Sequence, residues 1–490
     1  MKTIKNKLYR LIALIPAFVF ITGCDVLEQE PESVLEIDAF YSTGSDAEMG
    51  IIGAYNRFYS ENHIVGTYMI LDMASDDLTT VSPKFGYLIE NRNDMSPLNH
   101  GGTEQYFRAP WITIANTNLF IENVTNLPAA SFTGATTANA NRKDEILGEA
   151  YFIRGVSYYY MAMMWRDVPL ILEFPKGSLP EDNQVPNSTQ AAVLAQAEAD
   201  LRLAEAMLPN VLTQFSVNER RGRASKWAAK AFLSRMKLMQ NSWQEVVDLS
   251  NEIISSGQYT MVNPWTRLFL SEQNSSEAIL EIQSERSPGF FDMGIHGWYY
   301  GNGEFKATAD AIAQYEKPLK DARYEFTIKD NTATSKFLPV PLWSDAGIER
   351  ANLTMLRLAE IHFNKAEALN ELDYDANKQA VLDILNMIRA RAADPAFNNR
   401  FRATAPVGTA GIPPLTLIDL DTQDKMRLAI RAEKRRELMF EGLRWLDLLR
   451  WDPAYAMTIV KTTDQNRLYL PIPDSEIVLN NGVLSQNLGW

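Results

Sequence analysis

Apolar residues recur with the period of an α-helix along much of this 490-residue chain, and this feature constrains its fold more than any other. In 142–165, apolar and small residues return at steps of three and four, so they lie on one helical face. The helix should end near Arg166, because Pro169 disfavours helical backbone at the residue before it. The same period predicts further helices at 190–208, 223–240, 243–257, 353–372, 376–393 and 422–450.

Some of these helices are close enough in sequence to form hairpins. Only two residues separate 223–240 from 243–257. Ala224, Ala228 and Ala231 are small enough to let a neighbouring helix pass closely. Paired helices with small contact residues predict a mainly α fold with tetratricopeptide-like packing, although the repeat is degenerate.

Two long stretches between the helix pairs, roughly 60–140 and 258–350, are rich in Gly, Pro, Asn and aromatic residues. This composition favours turns and irregular connections. We therefore expect long irregular loops and short strands there. Because binding residues concentrate on loops carried by a rigid scaffold, we also expect the function in these stretches.

The N-terminus has the three parts of an export signal. A basic segment precedes an apolar run at 11–22, which is too short to span a bilayer of about 30 Å. Cys24 directly follows Ile21-Thr22-Gly23, and this sequence resembles the lipobox of bacterial lipoproteins. We predict a signal peptide at 1–23 and a lipid on Cys24. The alternative is a secreted protein with a chance cysteine.

Cys24 is also the only cysteine of the chain, so no internal disulfide is available and stability must come from packing. We predict an extended tether at 24–45 and a single domain at 46–490, with an N-terminal part to about residue 240 and a C-terminal part from about residue 258. The net charge of −14 argues against a nucleic-acid partner or an anionic lipid surface.

The sequence contains few patterns that are typical of catalysis. The four histidines form no zinc-binding motif, and the chain has no P-loop and no G-x-S-x-G nucleophile elbow. The pair Asp76-Asp77 is not assigned as a glycosidase dyad, because the sequence does not reveal the separation of two carboxylates. These findings favour a binding protein with no cofactor and no metal over an enzyme, and they leave a bound calcium ion open.

The densest charge pattern lies near the C-terminus. Glu433, Glu437 and Glu441 are spaced four residues apart, which predicts three carboxylates on one helix face that would repel each other without cations. We predict a partly buried salt-bridge network between helices rather than an acidic ligand site. The candidate cations are Arg357, Arg389, Arg391, Arg436 and Arg444.

The same region carries a family resemblance. The run from Glu433 to Arg450 resembles the C-terminal signature E-x-R-R-E-L-x-F-E-G-x-R-x-x-D-L-x-R of the SusD/RagB family, with Lys434 at the variable second place. Two departures are Asp167, where glycine is usual before V-P-L, and Leu488, where proline is common. Further similar blocks lie at 148–155, 167–170, 355–361, 365–368, 385–389, 469–473 and 486–490.

The resemblance implies a mostly α, SusD-like superhelix built on four tetratricopeptide-like helix pairs. It further implies an outer-membrane lipoprotein that faces the cell exterior and covers a SusC-like TonB-dependent β-barrel as a hinged lid. Members of the family capture a nutrient, usually an oligosaccharide and sometimes a peptide, and do not cleave it. The acidic residues Asp25, Glu28 and Glu30 resemble the family's surface-export signal.

Two clusters of side chains in the long stretches suit a sugar ligand, since aromatic faces cover sugar C–H surfaces and polar groups reach the hydroxyls. Neither cluster matches a fixed family motif. The first cluster is Phe291, Trp298, Tyr299, Tyr300 and Asn302, and the second is Asp77, Tyr87 and Arg92. The leading hypothesis is therefore an oligosaccharide-binding lipoprotein. Peptide capture, a lipid-anchored glycoside hydrolase and a purely structural scaffold remain alternatives.

Overall fold

The computed structural model describes residues 40–80, 104–132, 141–175, 184–216, 220–270, 274–283, 305–315, 321–329, 333–334, 336, 352–394 and 411–490. Helices dominate these residues. In the first half of the chain they are α1 (Gly44–Phe58), α2 (Gly66–Ala74), α3 (Glu104–Asn126), α4 (Arg142–Trp165), α5 (Gln190–Met207), α6 (Lys226–Met239) and α7 (Trp243–Ser255). A π-helical turn (Glu61–Val65) precedes α2, and a 3₁₀ turn (Ala129–Ser131) follows α3.

The second half contains shorter helices around three long ones. They are α8 (Arg267–Leu270), α9 (Ala309–Ala313), α10 (Ala322–Thr327), α11 (Leu358–Leu372), α12 (Tyr374–Ala390), α13 (Gln423–Leu438), α14 (Arg444–Trp451), α15 (Pro453–Ile459) and α16 (Asp474–Leu479). A 3₁₀ turn (Gln465–Leu468) separates α15 from α16.

Helix α4 is the centre of the N-terminal part, and its bounds agree with the helix predicted over 142–165. The Asn141 side chain caps it by accepting the Asp144 backbone N–H at 3.0 Å. Helices α1, α3 and α5 all pack against α4. The Arg154 guanidinium on α4 donates two 2.8 Å hydrogen bonds to the buried Asp200 carboxylate on α5, which joins the two helices.

From α5 onwards the long helices pack in sequence order, without the short helices α8, α9 and α10. Helix α5 contacts α6, α6 contacts α7, α7 contacts α11, and α11 contacts both α12 and α13. This succession, in which each helix packs on the next, is the tetratricopeptide-like arrangement predicted from the sequence. The mainly α prediction is confirmed.

Two predicted helices begin or end differently. Residues Leu353–Arg357 of the predicted helix 353–372 form strand β8, and α11 begins only at Leu358. The predicted helix 422–450 is broken into α13 and α14. The break occurs because Phe440 and Gly442 have φ values of 64° and 70°, which a right-handed helix cannot contain.

The stretch 60–140 is not only loop, which corrects the prediction. It contains α2 and the 23-residue α3. Every residue of α2 is buried, so its sequence shows no alternation between polar and apolar faces. Helix α3 contains Pro110, a residue that normally argues against a helix interior.

In the part of the chain that the structure describes, short strands form three small sheets. The strands are β1 (Leu78–Thr80), β2 (Val168–Pro169), β3 (Asn187–Ser188), β4 (Ala278–Ile282), β5 (Phe305–Ala307), β6 (Ile328–Lys329), β7 (Ala333–Thr334) and β8 (Leu353–Arg357). One sheet has the order β1-β5-β7-β6, the second pairs β2 with β3, and the third pairs β4 with β8.

Candidate functional site

Most of the predicted ligand residues lie outside the described residues, in the segments 81–103 and 284–304. They are Tyr87, Arg92, Phe291, Trp298, Tyr299, Tyr300 and Asn302. The described structure does define where both segments attach. Segment 81–103 begins after β1, and segment 284–304 ends at β5.

Strands β1 and β5 pair antiparallel, and their register brings these two attachment points together. Thr80, the last residue of β1, lies opposite Phe305, the first residue of β5. Directly opposed residues of an antiparallel pair have Cα atoms about 4.5 to 5.5 Å apart. Segment 81–103 therefore leaves the sheet where segment 284–304 enters it.

A third segment attaches at the other end of 284–304. Ile282, the last residue of β4, pairs with Leu353, the first residue of β8. The segment 337–351 ends just before β8, so it reaches the β4–β8 sheet where segment 284–304 leaves it. Segment 284–304 therefore shares one root with segment 81–103 at the β1–β5 pair and the other root with segment 337–351 at the β4–β8 pair.

Asp76 and Asp77 connect α2 to β1, and ion pairs hold them in place. The Arg444 guanidinium donates to both oxygens of Asp76 at 2.7 and 2.8 Å, and Arg435 donates to Asp77 at 2.6 Å. Burial disfavours the charged form of Asp76, but Arg444 outweighs this effect and holds the pKa of Asp76 below its usual value. Burial raises the pKa of Asp77 against the attraction of Arg435.

This geometry corrects the prediction that Asp77 contacts a ligand. Its side chain is fully buried and offers no surface to a ligand. The Thr308 backbone N–H donates to the Asp77 carbonyl at 3.0 Å, and the Thr308 hydroxyl donates to the Asp76 carbonyl at 2.6 Å. Asp76 and Asp77 thus fix the start of β1 against the residue that follows β5.

Glu437 is the centre of the predicted charge network. It is fully buried on α13 and pairs with Arg357 at 2.7 Å, with Arg323 at 3.1 Å and with Arg391. Burial alone would raise the pKa of Glu437, but the three guanidiniums outweigh it and hold that pKa far below the usual range. Glu437 is therefore a buried anion held by three cations.

Glu433 and Glu441 extend the network on either side. Glu433 pairs with Arg323, Arg389 and Arg436 at 2.7, 2.8 and 2.6 Å. Glu441 lies beyond the end of α13, not on its face as predicted, because the helix stops at Leu438. Its carboxylate still accepts hydrogen bonds from Nε and Nη2 of Arg357, each at 2.8 Å.

Arg444 does not pair with Glu441, although the sequence suggested it as a partner; it binds Asp76 instead. The sequence pattern also missed Arg323, Lys336 and Glu277, which lie more than 100 residues from Glu437 and have no local signal. Lys336 donates to Glu441 and to the carbonyls of Glu437 and Met439. The network joins α13 to the end of β8, to the residue before β4 and to the residue before segment 337–351.

A separate cleft lies between α3 and the C-terminal residues. It has a volume of about 420 Å³, and its walls include Phe107, Trp111 and Leu479. Ile112 and Leu479 are 50% and 64% exposed at its edge. An ion pair of Arg108 with Glu476 crosses the rim. Sequence reasoning missed this cleft because it did not predict α3.

The described histidines, His63 and His362, do not suit general acid–base catalysis. Burial lowers the pKa of His63 to about 3, and burial lowers the pKa of His362 to about 4, so both are neutral at pH 7. His100 and His296 lie outside the described residues. Within the described ranges, no cluster of three metal-ligating side chains occurs. No helix in those ranges is both long and apolar enough to cross a membrane.

The fold and the site define a helical-repeat protein in which three segments attach at the ends of two small sheets. Comparison with known proteins identifies its family. A family model described as "Starch-binding associating with outer membrane" matches residues 27–238, and one described as "SusD family" matches residues 333–460. The chain belongs to the SusD/RagB family.

Individual relatives agree along the whole chain. SusD-like protein P2 of Formosa agariphila is 24% identical, and the alignment covers 98% of this chain and 99% of the relative. A SusD homolog from Bacteroides thetaiotaomicron has a TM-score of 0.71 at 18% identity, covering 94% of this chain and 100% of the other. A laminarin-binding SusD-like protein has a TM-score of 0.67 at 20% identity, covering 91% and 100%. The structural likeness establishes the shared fold.

Proposed function

We propose that this protein is a lipid-anchored outer-membrane protein on the cell exterior, which binds an oligosaccharide and delivers it to a SusC-like TonB-dependent β-barrel. Family membership supports the carbohydrate class, since one matching family model is described as starch-binding and associated with the outer membrane. A structural neighbour is named as laminarin-binding, which points to the same ligand class. The lipobox-like sequence before Cys24 supports the anchor.

The observation that carries the proposed site is the pairing of Thr80 with Phe305. The sequence alone left the aromatic cluster around Trp298 and the cluster around Tyr87 as two alternative sites. Because segments 81–103 and 284–304 share one root, we propose that they form a single site. One oligosaccharide would then contact aromatic and polar side chains from both segments.

The buried ion pairs give this proposed site a rigid base. Arg435 and Arg444 hold the residues before β1, while Arg357 holds the end of β8. A binding surface gains affinity when its supporting backbone is ordered before the ligand arrives. We propose a binding role without catalysis for this surface, with Asp77 as a positioning residue.

A glycan array and a peptide array, probed with the soluble Cys24→Ser variant, test the ligand class. We expect retention of one group of oligosaccharides and no retention of peptides. Retention of peptides alone would favour the peptide-capture alternative within the same family. Cleavage products after incubation with the retained glycan would contradict a purely binding role.

Matched aromatic variants test the position of the site. Tyr87→Ala and Trp298→Ala should both weaken binding of the glycan that the array identifies, because each removes contact from the same site. Trp111→Ala is the control, since Trp111 lies on the separate cleft near α3. If only Trp111→Ala weakened glycan binding, that cleft would be the site instead.

A further inference from the structure

A small polar pocket lies between the helical repeats and the β4–β8 sheet. It has a volume of about 110 Å³ and is bounded by the residues after α5, the turn before α6, the residues after α7 and one side chain of β4. Its most distinctive lining residues are Arg220, Arg221, Ser225, Tyr259 and Ile279. None of them belongs to the proposed loop site.

The two arginines of this pocket have no carboxylate partner among the described residues. Arg223, only two positions later, forms a 2.8 Å ion pair with Glu149, as most buried arginines of this chain do with some carboxylate. The Arg221 guanidinium instead lies 4.8 Å from the centre of the Tyr259 ring. Its buried Nε atom has no hydrogen-bond partner within the described part of the chain. An unpaired buried donor is costly, and a bound acceptor would remove that cost.

Arg220, Arg221 and Tyr259 all line this pocket. Burial raises the pKa of the Tyr259 hydroxyl, and the positive charges of Arg221 and Arg220 both oppose that rise. Glu281 on β4 is buried, which raises its pKa, and the positive charge of Arg221 opposes that rise. Its carboxylate accepts hydrogen bonds from Asn274 and Asn352 at 2.9 Å, and it forms no ion pair with either arginine. The lining of the pocket, within the described residues, thus contains two arginines and no carboxylate.

We propose that this pocket binds an oxyanion group, a carboxylate or a sulfate, with Arg220 and Arg221 as its cationic ligands. Guanidinium groups match the planar or tetrahedral oxygens of such anions with paired N–H donors. The pocket volume of about 110 Å³ is large enough for a group of that size.

The place of the pocket suggests where the anion comes from. Ile279 precedes Ile282 by three residues on β4, a distance of about 10 Å along the strand. Segment 284–304 leaves the sheet just beyond Ile282. Resting on the proposed function, a bound glycan that extends to the end of β4 would bring a uronic acid or sulfate substituent near the pocket. A free inorganic anion is the other source of the same chemistry.

Calorimetric titration of the detergent-solubilised full chain with sodium sulfate, at ionic strength balanced with sodium chloride, tests the pocket directly. We expect saturable binding, and Arg220→Gln or Arg221→Gln should weaken it by at least about tenfold, as loss of a charged hydrogen bond does. The control is Arg57→Gln, which removes an exposed arginine of α1 and should leave sulfate binding unchanged. Melting temperatures in sodium chloride check that the variants fold.

A second titration compares a galacturonic acid trimer with a neutral galactose trimer. Preference for the acidic trimer, lost in both pocket variants, would assign the anion to a glycan. Equal binding of the trimers together with sulfate binding would assign the pocket to a free anion. If the protein bound no sulfate and showed no preference for the acidic trimer, the proposal that this pocket binds an oxyanion would be wrong. Failure of all glycan binding with sulfate binding intact would contradict the proposed function and leave the pocket standing.

Discussion

At the scale of single residues, the buried carboxylates on and after α13 join several elements of the fold. Glu437 touches guanidiniums from β8, from α10 and from the end of α12, so one side chain joins three elements. A buried ion pair contributes little net stability, because the cost of removing both charges from water offsets much of their attraction. Removing one partner is strongly destabilising, since it leaves the other charges buried without compensation.

Glu437→Gln should lower the free energy of unfolding by about 3 to 5 kcal/mol, because three buried guanidiniums lose their shared anion. Chemical denaturation followed by circular dichroism measures the change. Asp375→Asn is the control, since Asp375 pairs with Lys378 at the surface and its side chain is 84% exposed. Equal stability of the two variants would contradict the role given to Glu437.

The same carboxylate predicts a pH dependence. The folded pKa of Glu437 lies below that of an unfolded glutamate, so its contribution to stability is complete above about pH 4.5 and is lost as the pH falls towards the folded pKa. The melting temperature should therefore fall more steeply between about pH 5 and pH 3 in the wild type than in Glu437→Gln, because the amide of that variant takes up no proton on unfolding. Parallel curves would exclude this linkage.

At the scale of elements, the helices with a clear apolar period were predictable and the breaks between them were not. The bounds of α4 and α5 agree with the sequence to within a residue, because each has an N-cap and a proline shortly after its end. The break between α13 and α14 depends on positive φ at Phe440 and Gly442. At that turn Gly442 packs closely on Tyr68, and its backbone N–H donates to Asp72, contacts that the local sequence does not indicate.

Gly442→Ala should destabilise the protein by about 2 to 4 kcal/mol, from positive φ and from overpacking. Its new Cβ would clash with Cδ1 of Tyr68. Gly53→Ala on α1 is the matched control, because nothing lies within 4 Å of its new Cβ. That substitution should stabilise the helix by about 0.5 to 1 kcal/mol. Thermal unfolding of both variants measures the difference, and a destabilising Gly53→Ala would contradict this explanation.

The candidate site was only partly predictable for a similar reason. The sequence identified aromatic clusters around Tyr87 and Trp298, but it did not relate them, because their common root is a strand pairing across more than 200 residues. It also gave Asp77 a ligand contact, since an acidic residue beside a loop has the same local sequence whether it is exposed or buried. Asp77 is the buried case, because it forms an ion pair with the distant Arg435.

At the scale of the whole molecule, we propose that the anchor and the binding body are separate. Cys24 precedes α1, which begins at Gly44, by the length of the predicted tether. Cys24→Ser should therefore release a folded protein into the medium with its glycan affinity retained. Fractionation of cells and titration of the released protein measure both properties. A released protein that fails to bind the glycan would contradict the separation.

The proposed transporter partner also concerns the whole molecule. Extraction of native membranes in mild detergent should co-purify the protein with a large β-barrel, because a lid that delivers nutrient must remain on its transporter. A monomeric lipoprotein free of any barrel would contradict the proposed delivery.

The central claim is that an oligosaccharide binds where segments 81–103 and 284–304 share a root. Calorimetric titration of Trp298→Ala with the glycan identified on the array tests it most directly. We predict at least about tenfold weaker binding at an unchanged melting temperature, since loss of a stacked aromatic face removes about 1 kcal/mol or more in addition to its buried area. Wild-type affinity in this variant would contradict the claim.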